Sequence, residues 1–200
     1  VLNITPNTGT FSPKLGISFP TAGTLHFQLS PKGNASFDSG ISDYTVSDSN
    51  GKIVITTSAL RVTITKSPYG VEVYDVANGK VLTQNGSTGN ELSWLTDGEN
   101  MISGVKEGYA SPATEQFYGF GEKYNGLDQR GKVVDTYVYN QYQNQGSRTY
   151  LSVPFFYSSR GYGIYLASTY YSKFDMAANT PLQYSFTAEY LPRLDILLQV

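Results

Sequence analysis

Cysteine is absent from this chain of 200 residues, so disulfides, thiolate nucleophiles and cysteine-based zinc sites are excluded together. Histidine occurs once, as His26, and a metal site built from several histidines goes with it. Charge is sparse: 14 Lys plus Arg stand against 16 Asp plus Glu, for a formal net charge of -2. A chain this close to neutral has no long-range field with which to capture a polyanion. Neither nucleic acid nor an anionic membrane is an expected partner. No apolar run approaches the ~18 residues of a membrane span, and the first residues lack the charged and apolar regions of a signal peptide. No metal and no cofactor is expected.

What is plentiful is tyrosine, 17 of it, with 20 glycines and alternating apolar runs. Thr24 to Ser30, TLHFQLS, sets Leu25, Phe27 and Leu29 against His26 and Gln28, the period of two of a half-buried strand, with His26 on the solvent side. Ala59 to Lys66 repeats it, with Leu60, Val62 and Ile64 inside and Arg61, Thr63 and Thr65 outside. The same reading predicts strands over Val71 to Val76, Val81 to Thr83, Lys132 to Asn140, Val153 to Tyr157, Gly163 to Ser168, Leu182 to Tyr190 and Arg193 to Val200. Turn formers separate them at Asn50-Gly51, Ser67 to Gly70, Asn78-Gly79 and Ser158 to Gly161. Residues 85 to 115, rich in Gly, Ser and Glu, read as the longest irregular connection. No window of a dozen residues has helical periodicity.

These features predict one large all-β domain over residues 1–200, on the order of 15 strands in an antiparallel two-sheet β-sandwich. A mass of 21.9 kDa allows a real core without covalent staples. It does not allow a (β/α)8 barrel as well, since that fold needs roughly 250 residues of its own.

Glycoside cleavage commonly uses two carboxyl groups roughly 5 to 10 Å apart, and Glu122 with Asp128 is the one tempting pair. The structural reading is favoured: Glu122 follows Gly119 and Gly121, and Asp128 can pair with Arg130 or accept backbone N–H groups. Gly119-Phe120-Gly121 lacks the Lys-Ser/Thr ending of a phosphate loop and reads as backbone bending at a sheet edge. A sugar epimerase would want a His tuned near neutrality, and one strand histidine is thin support for it.

The stretch Tyr137 to Arg148, YVYNQYQNQGSR, is the richest in recognition chemistry. Tyr139, Asn140, Gln141, Tyr142, Gln143 and Asn144 combine neutral donors and acceptors with flat apolar faces, which suits the hydroxyls and C–H surfaces of a sugar. Polar side chains filling a wet, exposed hairpin are the competing explanation.

Three motifs occur in a telling order: FYGFGEK at Phe117 to Lys123, LDQRG at Leu127 to Gly131, and VPFFYSSRGYGIYL at Val153 to Leu166. In this order the chain resembles the family 31 glycoside hydrolases, the α-glucosidase and α-xylosidase group. The resemblance implies a galactose-mutarotase-like N-terminal sandwich, an α-linked oligosaccharide as substrate, and catalytic carboxylates on a (β/α)8 barrel outside this chain. It implies a loop reaching over the barrel mouth from the 139–145 region. Asn140 stands where many relatives carry an Asp in a WNTD-like motif, and here the wording is YVYN. YNQYQNQG is closer to glucosyl- and isomaltosyl-transferring or xylosidase-like members than to animal maltases. In the family a similar LD-containing strand closes the sandwich before the barrel, so the chain is expected to stop at a domain boundary. Asn3, Asn34 and Asn85 head Asn-x-Ser/Thr sequons. A secreted or extracytoplasmic setting is expected, with a cytoplasmic one still open. A free-standing carbohydrate-binding module is the alternative to an enzyme's N-terminal domain.

Overall fold

The computed structural model describes residues 1–6, 11–85, 92–97, 101–189 and 193–200. Among these residues there are seventeen strands and no helix. A seven-stranded antiparallel sheet has the order β1-β2-β3-β17-β14-β13-β11, comprising Leu2–Asn3, Lys14–Thr21, Thr24–Ser30, Leu194–Gln199, Tyr162–Leu166, Ser152–Ser158 and Phe117–Gly121. A five-stranded sheet follows the order β12-β15-β16-β10-β9, or Lys132–Asp135, Ser172–Met176, Gln183–Glu189, Ile102–Ala110 and Ser93–Thr96. The third sheet is a meander, β4 to β8: Thr45–Ser49, Lys52–Thr56, Leu60–Lys66, Tyr69–Asp75 and Gly79–Asn85.

The all-β sandwich is therefore present, with its second layer divided in two. Alternation explains the packing: Tyr162, Ile164 and Leu166 of β14 and Leu194, Ile196 and Leu198 of β17 all turn inward. On one half, Phe117 and Phe156 of the seven-stranded sheet meet Tyr184 edge-on, and Phe120 meets Phe174 at 5.0 Å. On the other half, Leu25, Phe27, Ile196 and Leu198 face Val71, Val73 and Leu82 of the meander, with Tyr109 of β10 between the halves. Aromatic contacts of this geometry add about 0.5–1.5 kcal/mol each beyond area burial.

Several expectations need correction. His26 and Gln28 are buried, as Thr63 is, although the alternation placed all three outside. The outer face of β3 is covered by residues 36–38: Asp38 N–H donates to Gln28 Oε1 at 2.9 Å, and the Phe37 ring lies so close to Gly16 that a Cβ there would come within 2.2 Å of it. Residues 85–115 are not one irregular connection, since β9 and β10 lie within them and β10 pairs with β16 from Gly104 to Ala110. Residues 86–91 and 98–100 of that stretch fall outside the described set, as does Tyr190 at the end of the strand expected over Leu182 to Tyr190. The strand expected over Lys132 to Asn140 stops at Asp135. Beyond it the Thr136 N–H still reaches Ser172 O, but the Tyr139 N–H turns to Thr149 O.

Candidate functional site

The loop from residue 136 to 151 joins β12 to β13, and its stem is built before its tip. Tyr139 donates its hydroxyl to Asp135 Oδ2 at 2.9 Å, and its ring lies 4.9 Å from that of Tyr137. That hydrogen bond to the carboxylate is the main reason the Tyr139 pKa is raised. From the neighbouring loop, Lys123 Nζ reaches in to donate to Asp135 O at 3.1 Å and Ser147 O at 3.2 Å. Partial burial lowers the Lys123 pKa, an effect the nearby Asp135 charge opposes.

At the tip, Gln141 uses both ends of its amide. Its Nε2 donates to Gln143 O at 2.8 Å and Asn144 O at 2.9 Å, while its Oε1 accepts from Arg148 Nη1 at 2.6 Å. The Arg148 guanidinium also sits over the Tyr139 ring, 5.1 Å from its centroid. Asn144 holds a left-handed φ of 51°, which Asn tolerates better than most residues. The six side chains singled out from sequence thus divide. Tyr139 and Gln141 shape the loop, while Asn140, Tyr142, Gln143 and Asn144 are exposed, Tyr142 to 81%.

Asp128 is engaged in holding its loop, whereas the Glu122 side chain is exposed. Asp128 Oδ1 accepts the N–H groups of Phe117 at 3.2 Å and Arg130 at 2.9 Å, tying the LDQRG turn to β11. The Arg130 guanidinium goes elsewhere, to Ser111 Oγ, Glu115 O and Pro181 O. Glu122 is exposed, and its backbone N–H donates to Leu151 O. Gly119 and Gly121 carry φ of 134° and 79° at a bulge in the β11–β13 pairing, the bend at the sheet edge that the motif suggested.

The least legible cluster surrounds His26. Asp195 Oδ1 accepts from His26 Nε2 at 3.0 Å and from Gln28 Nε2 at 2.7 Å, while Asp195 Oδ2 accepts from Arg193 Nε at 2.7 Å. Gln28 Nε2 also donates to Asp38 Oδ2 at 2.9 Å. His26, Asp38 and Asp195 lie within metal-ligating distance of one another. Both oxygens facing His26 already accept Gln28 N–H, so the arrangement is a hydrogen-bond network. A signal existed in RLDILLQV: an aspartate inside an apolar strand needs donors. Of the sequons, Asn3 and Asn34 are exposed, and the Asn85 side chain falls outside the described set.

Residues 14–175 match the family model of the glycosyl hydrolase 31 N-terminal galactose mutarotase-like domain. The chain is 45% identical over 191 residues to an isomaltosyltransferase of Sporosarcina globispora, covering 94% of this chain and 18% of that protein. It superposes with a TM-score of 0.94 and 42% identity on the cycloalternan-forming enzyme of Listeria monocytogenes, solved in complex with a pentasaccharide substrate, over 99% of this chain and 19% of that one. A dextranase of Flavobacterium johnsoniae shares the fold at a TM-score of 0.76 and 22% identity, over 94% of this chain and 23% of that one. The chain therefore spans about a fifth of the length of these relatives.

Proposed function

This chain belongs to the glycosyl hydrolase 31 N-terminal galactose mutarotase-like domains, and from that premise we propose that it serves a larger enzyme acting on α-linked glucosyl units, by hydrolysis or transfer. The sandwich supports a (β/α)8 catalytic domain and lends residues 139–144 to the sugar-binding site. The cleaving carboxylates belong to that other domain, consistent with Asp128 being spent on backbone N–H groups. A secreted or extracytoplasmic enzyme suits a polymeric sugar substrate.

One observation carries the reading. Tyr142 is exposed to 81% on a loop whose neighbouring residues are clamped by the Arg148–Gln141–Asn144 contacts. A large, flat side chain presented on a braced support can stack on a sugar at low entropic cost, whereas a slack hairpin could not. In the full-length protein, Tyr142→Ala should raise KM for a short α-linked oligosaccharide about five-fold, with kcat within about two-fold. An unchanged KM would remove the loop from the site.

A further inference from the structure

The outer face of the seven-stranded sheet carries aromatic side chains on three neighbouring strands. Tyr118 of β11 pairs with Tyr157 of β13, rings 5.5 Å apart, and Phe155 of β13 is the cross-strand partner of Tyr165 of β14. Phe155, Tyr157 and Tyr165 are all exposed. Scattered exposed aromatics are ordinary, but this row leads to an open cleft of about 630 Å3 lined by Tyr165, Ser168, Tyr170, Ser36, Arg193 and Asp195.

The polar groups of this cleft are held in place before any ligand arrives. Asp195 is fixed by His26, Gln28 and Arg193, and Arg193 Nη1 donates to Ser36 O at 2.6 Å. Ser168 Oγ is held by the Tyr170 N–H at 3.1 Å. Among the described residues of the lining, Arg193 and Asp195 are the ionised groups, one of each sign and paired. The paired charges of the lining and the Asp38 carboxylate beside Arg193 disfavour a phosphate, and the directional hydrogen bonds of the cleft suit a neutral polyol. Two tyrosine rings supply the flat faces on which pyranose C–H surfaces rest.

We propose that this cleft is an accessory binding site for a short stretch of α-linked glucan, separate from the 139–144 loop. The preference for a neutral sugar rests on the cleft itself; the choice of α-linked glucose polymer rests on the function proposed above. Tyr170 lines the cleft, and the next residue, Tyr171, packs 6.4 Å from Tyr137 at the base of the loop. The two binding elements therefore adjoin one segment, and one long chain could engage both, gaining affinity through effective concentration.

The test is native gel electrophoresis of the full-length protein through gels containing dextran or soluble starch, with kinetics on nitrophenyl α-glucoside in parallel. Wild type should be retarded by at least one polymer. The double variant Tyr165→Ala/Tyr170→Ala should weaken apparent affinity about five-fold or more, with unchanged turnover of the small substrate. Tyr165→Phe/Tyr170→Phe keeps the rings and should keep the retardation. Ala167→Trp fills the cleft from an exposed position and should also lose it, which protects the result if the double variant folds poorly. Wild-type migration that ignores both polymers, or retardation undiminished in the double alanine and Ala167→Trp variants, overturns the proposal. Tyr142→Ala separates the two readings: it should alter KM for short substrates, and a null result there would sink the loop reading while leaving the cleft standing.

Discussion

His26 and Asp195 meet across the β3–β17 pair, Nε2 to Oδ1 at 3.0 Å, and join positions 169 residues apart in the chain. Asp195 is the hub, because His26, Gln28 and Arg193 all donate to it. Asp195→Ala should therefore cost about 3 kcal/mol, the lower part of the range for breaking a buried pair, since the Arg193 side chain is partly solvated. Urea denaturation measures it, and a loss under about 1 kcal/mol would show that the network contributes little.

Glu107 lies fully buried on the inner face of β10, and burial drives its pKa well above the usual carboxylate value. An acid whose folded pKa is raised holds its proton more tightly when folded. Its stabilising contribution is complete below an unfolded pKa near 4.5 and is lost as pH rises through the folded value. Stability should fall with pH across that window, by up to about 1.4 kcal/mol per pH unit. Glu107→Gln should remove the slope and melt higher than wild type at pH 8, with little difference at pH 4. A wild-type curve that is flat or rising from pH 5 to 8, with the variant unchanged in shape, would contradict the assignment.

Gly121 and Gly161 both have positive φ, 79° and 86°, yet their surroundings differ. A Cβ on Gly121 would meet Leu151 O at 2.3 Å, whereas one on Gly161 would meet nothing within 4 Å. Gly161→Ala should cost only the left-handed strain of about 1–2 kcal/mol. Gly121→Ala should cost more, about 3 kcal/mol, by adding a clash with backbone. Denaturation midpoints of the two variants compare them directly, and equal losses would mean that the β11 bulge is freer to shift than its contacts indicate.

Arg148 clamps the loop through Gln141 and the Tyr139 ring. Because these contacts are exposed, Arg148→Ala should lower stability by no more than about 1 kcal/mol. Amide hydrogen exchange at residues 141–145 should nevertheless quicken, since the local brace is gone. Unchanged exchange there would mean that the stem alone orders the tip.

Alternation made some strands legible and not others: β5 and β15 also alternate between buried and more open positions, yet neither was among the expected strands. β6 fell within one residue of its expected bounds, and β3 matched at both ends, Thr24 and Ser30. The facing of β3 was not legible, because a distant segment, 36–38, covers its outer side, and alternation carries no information about such a cover. β10 was hidden for the opposite reason: Gly104, Lys106 and Gly108 interrupt its inward residues, and one of those, Glu107, is charged in composition though buried. The 139–144 loop was visible as a cluster of amides and phenols. Which of them brace it depends on the approach of Arg148 and Asp135, a matter of three-dimensional geometry that spacing cannot encode.

The central proposal is that this sandwich helps to bind sugar for cleaving groups that lie in another domain. Turnover by the purified 200-residue chain, shown to be β-folded by circular dichroism, tests this most directly, with nitrophenyl α-glucoside, maltose and isomaltose as substrates. The account predicts no release above buffer over many hours. Sustained release that disappears in Glu122→Gln would contradict it.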